Sequence, residues 1–147
     1  MALIGDRGTG KTTVAAACIH AVAAETPDPG PGRPDPNPIY ATIHGLMLSI
    51  REAMGKPDAS ERSAVAAVIG VPLLVIDEAH ERAGSDWEAR TLTHIVVSRE
   101  AELRPTLLVG CARPDALIAA VGPSIASRLS GAGSVFVLSG PSHRGRP

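Results

Sequence analysis

Gly5-Asp6-Arg7-Gly8-Thr9-Gly10-Lys11-Thr12 is the stretch whose reading decides the fold of this chain. It fits the spacing G-x-x-x-x-G-K-[ST] at every position. Glycines at that spacing let backbone N–H groups converge on phosphate oxygens with no Cβ in the way. The apolar stub Ala2 to Ile4 before it reads as a short strand. Lys11 to Ala24 after it is built almost wholly of good helix formers and reads as a helix that starts at the loop. The positive end of that helix's dipole points at the same anion. Lys11 is placed to reach the β- and γ-phosphates of a nucleotide, and the Thr12 hydroxyl to coordinate Mg2+. The expected binding segment therefore comprises Gly5, Asp6, Arg7, Gly8, Thr9, Gly10, Lys11, Thr12 and Thr13.

Leu73-Leu74-Val75-Ile76-Asp77-Glu78 supplies the second half of such a site. A continuous apolar run of this length is the pattern of a strand buried on both faces. Asp77 leaves its end and is placed to hold a Mg2+-bound water. Glu78 is then placed to polarise an attacking water, a role that implies hydrolysis. The ligands expected are ATP and Mg2+; no guanine-specific Asn-Lys-x-Asp segment occurs.

The rest of the chain alternates between strand and helix patterns. Ile39 to Thr42 reads as a strand. Ile43 to Met54 carries Leu46, Met47, Ile50 and Met54 at helical spacing, and Ser63 to Ile69 reads as a short helix. Trp87 to Leu103 is the longest helical pattern, with Ala89, Leu92, Ile95 and Val96 on one side. Thr106 to Cys111 reads as another buried strand, Asp115 to Val121 and Ser124 to Leu129 as helices, and Ser134 to Leu138 as a last strand. Thr26 to Pro38 is rich in Pro and Asp and reads as a solvated surface loop, and the polar segment from Gly140 as a loose tail. Strands alternating with helices imply an α/β domain over 1–140, a parallel sheet with helices on both faces. Ligands of such sheets bind at the carboxyl ends of strands, where both motifs sit.

Composition narrows the classes further. With 147 residues the chain has single-domain length, and 44% apolar residues suffice for a core. One Trp, one Tyr and one Phe make that core aliphatic. A net charge of -1 excludes a strongly basic field over the whole surface and leaves only a local cluster for DNA contact. Cys18 and Cys111 form neither a disulfide framework nor a metal spacing, which suits a reducing cytoplasm. No apolar run approaches the ~18 residues of a membrane span, and no signal peptide precedes the Gly-rich loop. His20, His44 and His94 fall on helices without metal spacing and read as packing or surface residues.

Asp77-Glu78-Ala79-His80, extended by Glu81-Arg82, also spells the box of DEAH-box helicases. Those proteins need two recombinase-like domains, and the Ser-Ala-Thr segment expected after the box is absent. A different resemblance covers more of the chain. Ser85-Asp86-Trp87-Glu88, Arg99 at the end of its helix, Arg104-Pro105-Thr106-Leu107-Leu108-Val109, Ile125-Ala126-Ser127-Arg128-Leu129 and Ser142-His143-Arg144 stand in the order seen in DnaC-type helicase loaders. IstB-type transposition ATPases share much of it. The chain thus resembles the AAA+ ATPase domain of that group from Leu3 to about Arg144. The resemblance implies a three-layer P-loop NTPase sheet of the AAA+ ASCE type. It implies Arg128 as an arginine finger that enters a neighbour's site, which requires a head-to-tail homo-oligomer. It implies Arg144 as a nucleotide-sensing arginine, and a replicative helicase or a transposase as partner, with single-stranded DNA as a further one. Arg99 and Arg104 read as solvated charges, with contact to DNA or a partner as the alternative.

Two departures from the family pattern stand out. Cys111 occupies the place of a polar sensor, usually Asn, at the end of its strand, and a thiol is a poor hydrogen-bond donor. Only four residues precede Gly5, so the region that grips the helicase and one wall of the adenine pocket are not in this sequence, and weakened nucleotide affinity is expected. The functional expectation is an ATP-hydrolysing helicase loader, with three alternatives: an IstB-like transposition helper, a nucleotide-binding switch with little turnover, and a P-loop kinase, for which neither a substrate-binding acid nor an Arg-rich lid is evident.

Overall fold

The computed structural model describes residues 1–27, 37–57, 60–81, 84–111, 113–131 and 134–142, Cys111 by its backbone alone. Most of the Pro-rich segment, and the tail from residue 143 with Arg144, lie outside these. The elements run β1 (Ala2–Gly5), α1 (Lys11–Glu25), β2 (Ile39–Thr42), α2 (Ile43–Met54), α3 (Glu61–Gly70), β3 (Leu74–Asp77), α4 (Asp86–Ala101), β4 (Thr106–Cys111), α5 (Pro114–Val121), α6 (Pro123–Gly131) and β5 (Val135–Leu138). The strands form one sheet in the order β2-β3-β4-β1-β5, with every neighbouring pair parallel. No helix among the described residues is long and apolar enough to cross a membrane.

Helices cover both faces, unequally. Ala2, Ile4, Leu74, Ile76 and Leu108 face the larger cluster, which α2 to α6 complete with Ile43, Met47, Leu92, Ile95 and Ile125. Leu3, Val75, Leu107 and Val109 alternate to the other face, where α1 packs through Ala15, Cys18, Ile19 and Val22. The small Ala15, fully buried, lets α1 lie close to the sheet.

Hydroxyl side chains cap the starts of three helices. Thr42 Oγ1 accepts from Gly45 N at 3.1 Å, Ser60 and Ser63 form a reciprocal capping box, and Ser85 Oγ accepts from Glu88 N at 3.2 Å. The cap at Ser60 is why α3 starts at Glu61 and not at Ser63. Ser85-Asp86-Trp87-Glu88 therefore has a structural task. Ser85 caps α4, and Trp87 Nε1 donates to Glu61 Oε1 on α3 at 2.9 Å. Arg51 of α2 stacks on the indole, 4.5 Å from its centroid, and its guanidinium lies 3.8 Å from the buried Glu88 carboxylate.

Arg99 is not the solvated charge expected of it. Its side chain is fully buried. Nη1 donates to the carbonyls of Val68, Ile69 and Val71 at 3.1, 2.7 and 2.9 Å, Nη2 to Pro105 O at 2.7 Å, and Nε to Thr106 Oγ1 at 2.9 Å. The last carbonyls of a helix have no partner within it. Arg99 satisfies those of α3 from the neighbouring helix, where the negative end of the α3 dipole favours a cation. Burial, and to a lesser extent the charge of Arg104, pulls its pKa down to about 10, so it remains charged at neutral pH. Arg104, half-buried, also bonds structure: it donates to Gly70 O at 2.5 Å and to Glu102 at 2.7 Å.

Helix α4 stops short of the expected Leu103 because the chain turns left-handed there, with φ 55 at Leu103. Arg104 N donates to Arg99 O at 2.7 Å and Leu103 N to Glu100 O at 2.9 Å, the two bonds of a Schellman turn, where glycine is the usual residue. Leu103 is 92% exposed and buries almost nothing in return. Leu103→Gly is expected to stabilise the protein by about 1 kcal/mol, read as a Tm rise of about 2 to 4 °C. A lower Tm would refute the strain assigned to this turn.

Candidate phosphate and metal site

Because β4 is inserted between β1 and β3, the loop after β1 and the acidic end of β3 face each other across one strand. Strand pairing sets the depth of the crevice: Gly5 lies opposite Cys111, and Thr42 opposite Asp77. A cavity of about 410 Å3 opens there, lined by Arg7, Gly8, Gly10, Lys11, Thr12, Thr13, Asp77, Glu78, His80, Glu81 and Gly110.

The loop is already shaped as a cradle. Gly10, at φ 90, is the N-cap of α1, and no atom lies within 4 Å of the place a Cβ would take. Among the described residues no side chain caps this helix, and no acid stands in its first turn, so its leading N–H groups are left for an anion from outside. At Gly8, φ 84, a Cβ would fall 2.1 Å from Ser142 Oγ; the start of the tail thus lies directly against the loop. Lys11 Nζ donates to Gly5 O and Asp6 O, both at 2.7 Å, bridging the loop's two sides. Asp6 O also accepts from Thr9 Oγ1 at 2.9 Å, so Asp6 acts here through its backbone.

Opposite the loop, Asp77 is engaged at both oxygens. Oδ1 accepts from the N–H of Glu78 at 2.7 Å. Oδ2 lies 3.5 Å from Thr12 Oγ1 and accepts a short hydrogen bond from the Tyr40 hydroxyl. Burial, then this bond and the Asp77 charge, push the Tyr40 pKa up to about 12, which keeps the phenol a donor. Glu78 has φ 54, a conformation rarely adopted by residues other than glycine. The next residue pins the turn, Ala79 N donating to Val109 O at 3.0 Å. Glu78 thus stands exposed at the cavity wall on a strained backbone, as functional residues often do. Arg7 and Glu81 pair at 4.0 Å across the rim, an exposed contact of little energetic weight. Thr12 and Asp77 offer paired hard oxygens, the donor type that Mg2+ takes, and the anion cradle beside them fits a nucleotide's phosphates.

The structure therefore assembles Gly5 to Thr13, Asp77 and Glu78. It does not bring Arg128 to them. Arg128 contacts the Glu100 carboxylate, donates to Ser124 O at 2.9 Å, and lines a groove with Met1 and Thr106, where β1 and β4 begin. That is the end of the parallel sheet opposite the phosphate loop. Arg144 and the Cys111 side chain lie outside what is described. Tyr40, His80, Gly110 and Ser142 were not among the expected site residues. Only His80 had a local signal, since it follows Asp77-Glu78; the other three arrive through strand order and chain return.

The sheet order, with the phosphate loop after β1 and the acid at the end of β3, defines a three-layer P-loop NTPase fold, a parallel sheet with helices on both faces. The chain matches no protein-family model, and no curated protein matches it in sequence. Its fold is shared with solved structures at low identity. AMPPCP-bound DnaA from Aquifex aeolicus is 20% identical with a TM-score of 0.75, over 94% of this chain and 39% of that one. The DnaC helicase loader is 19% identical with a TM-score of 0.73, over 95% of this chain and 77% of that one. The Aeropyrum pernix ORC1 protein, in complex with DNA, is 18% identical with a TM-score of 0.60, over 94% of this chain and 38% of that one. This chain thus spans about two fifths of the DnaA and ORC1 chains and about three quarters of the DnaC chain.

Proposed function

We propose that this chain binds ATP with Mg2+ and hydrolyses it as an AAA+ domain serving DNA replication, in the manner of a helicase loader. The observation that carries the proposal is the crevice itself: an uncapped helix N-terminus and Lys11 on one side, Thr12 and Asp77 between, and Glu78 facing them. Lys11 moves from its loop carbonyls to the β- and γ-phosphates, exchanging neutral acceptors for anionic ones. Thr12 and Asp77 hold Mg2+, which screens the phosphate charge. Glu78 orients water for attack and accepts its proton. Arg144 contacts nucleotide from the tail, and Arg128 serves a neighbouring protomer. Partners in this reading are a replicative helicase and single-stranded DNA, in the cytoplasm.

A switch with slow turnover is the second reading, favoured by the residue at the end of β4. That strand reaches the crevice opposite Gly5, and Cys111 there is a poor donor for positioning water. The same register serves an IstB-like helper, which differs in its client. Binding of ATP by calorimetry, followed by phosphate release, separates the readings. Lys11→Ala is expected to weaken ATP binding by about tenfold to a hundredfold, the worth of a charged hydrogen bond. Binding with phosphate release at the level of Lys11→Ala would leave the switch. No binding by the parent chain would end both readings.

A further inference from the structure

The sole tyrosine of the chain sits at the metal side of the crevice. Tyr40 lies on β2 opposite Val75, two residue pairs before Thr42 and Asp77. Its ring is partly exposed, yet its hydroxyl is committed to Asp77 Oδ2, the same oxygen that lies 3.5 Å from Thr12 Oγ1. Asp77 Oδ1 is held separately by the N–H of Glu78 at 2.7 Å. The carboxylate is therefore fixed by two donors, one from β2 and one from the turn after β3, one on each oxygen. A carboxylate oxygen has two lone pairs, so Oδ2 can keep the phenol and still accept from a metal-bound water. Mg2+ demands near-octahedral geometry at short distances, so a small rotation of an acidic side chain weakens its grip.

We propose that Tyr40 is a positioning residue for Asp77: its hydroxyl holds the carboxylate facing Thr12 and so sets how much Mg2+ the protein needs to bind nucleotide. The inference rests on the Mg2+-nucleotide reading above. It deepens that reading by assigning β2, which carries neither motif, a part in the metal site. Outer partners of this kind commonly account for about a tenfold to a hundredfold change in metal affinity.

Tyr40→Phe removes only the hydroxyl and leaves the ring on the sheet. The experiment follows AMPPCP binding to the parent chain and to Tyr40→Phe across a Mg2+ series, with an EDTA arm and thermal unfolding of both. Expected is a Mg2+ midpoint about tenfold higher in Tyr40→Phe, with unchanged affinity in EDTA and unchanged Tm. An unchanged midpoint reduces Tyr40 to packing and overturns the proposal. A lower midpoint also overturns it, since the phenol would then be competing with the metal's shell. If the parent chain binds AMPPCP equally with and without Mg2+, or not at all, the Mg2+-nucleotide reading fails and this inference falls with it. Loss of the midpoint difference alone leaves that reading standing.

Discussion

Arg128→Ala will leave nucleotide binding by each protomer intact and lower ATP turnover at high protein concentration by about a thousandfold, the scale of an arginine finger's contribution. The reason lies in the sheet. The phosphate loop leaves the carboxyl end of β1, whereas Arg128 stands beside Met1 and Thr106 at the opposite end, so it cannot serve its own site. Its guanidinium rests on Glu100 and on Ser124 O, partners it would exchange for phosphate oxygens of a neighbour in the proposed arrangement. Parent turnover per protomer is accordingly expected to rise with concentration. Mixing Arg128→Ala with Glu78→Gln tests the arrangement directly. Intact Arg128 on one protomer then faces intact Glu78 on the next, and activity returns only across a shared interface. Arg128→Ala turnover equal to the parent's, or no recovery on mixing, would remove Arg128 from the mechanism.

The second large effect is on stability. Arg99→Met keeps the length of the side chain and loses all five donors. Three carbonyls at the end of α3, of Val68, Ile69 and Val71, then face an apolar tip, while Pro105 O keeps the N–H of Leu74. An unsatisfied buried acceptor costs about 1 to 3 kcal/mol, and removing a buried cation returns part of that. The net expectation is a loss of about 4 kcal/mol, a large share of the 5 to 15 typical of a domain. Urea unfolding of the two proteins measures it. A change below about 1 kcal/mol would mean that water or a local shift replaces the guanidinium.

The two motifs made the nucleotide crevice legible in the sequence because each is contiguous: a loop with its helix, and a strand with its terminal acid. Residues 73–76 and 106–111 gave the central strands as plain apolar runs. What stayed hidden was long-range or charged. Arg99 follows Leu92, Ile95 and Val96 at helical spacing, so periodicity does put it on the buried face of α4; its charge argued for solvent, and the carbonyls that take it up belong to α3 and to the turn before β4. Glu88 is buried at the other end of that face for the same reason. Tyr40 reaches Asp77 only because β2 pairs with β3, a neighbourhood set by sheet order. Arg128 lies away from the crevice of its own chain, a placement that no local pattern conveys.

Trp87 carries a practical consequence. It is the only indole in the chain, seated between Arg51, Glu61 and the buried Glu88 where α2, α3 and α4 meet. The aromatic at the crevice, Tyr40, is a phenol, which absorbs at shorter wavelength than the indole and can be left unexcited. The molecule therefore carries a built-in optical reporter for one wall of its larger core, separate from the phosphate loop. A fluorescence change on adding nucleotide reports motion relayed through the sheet, while its loss in denaturant reports the parting of three helices.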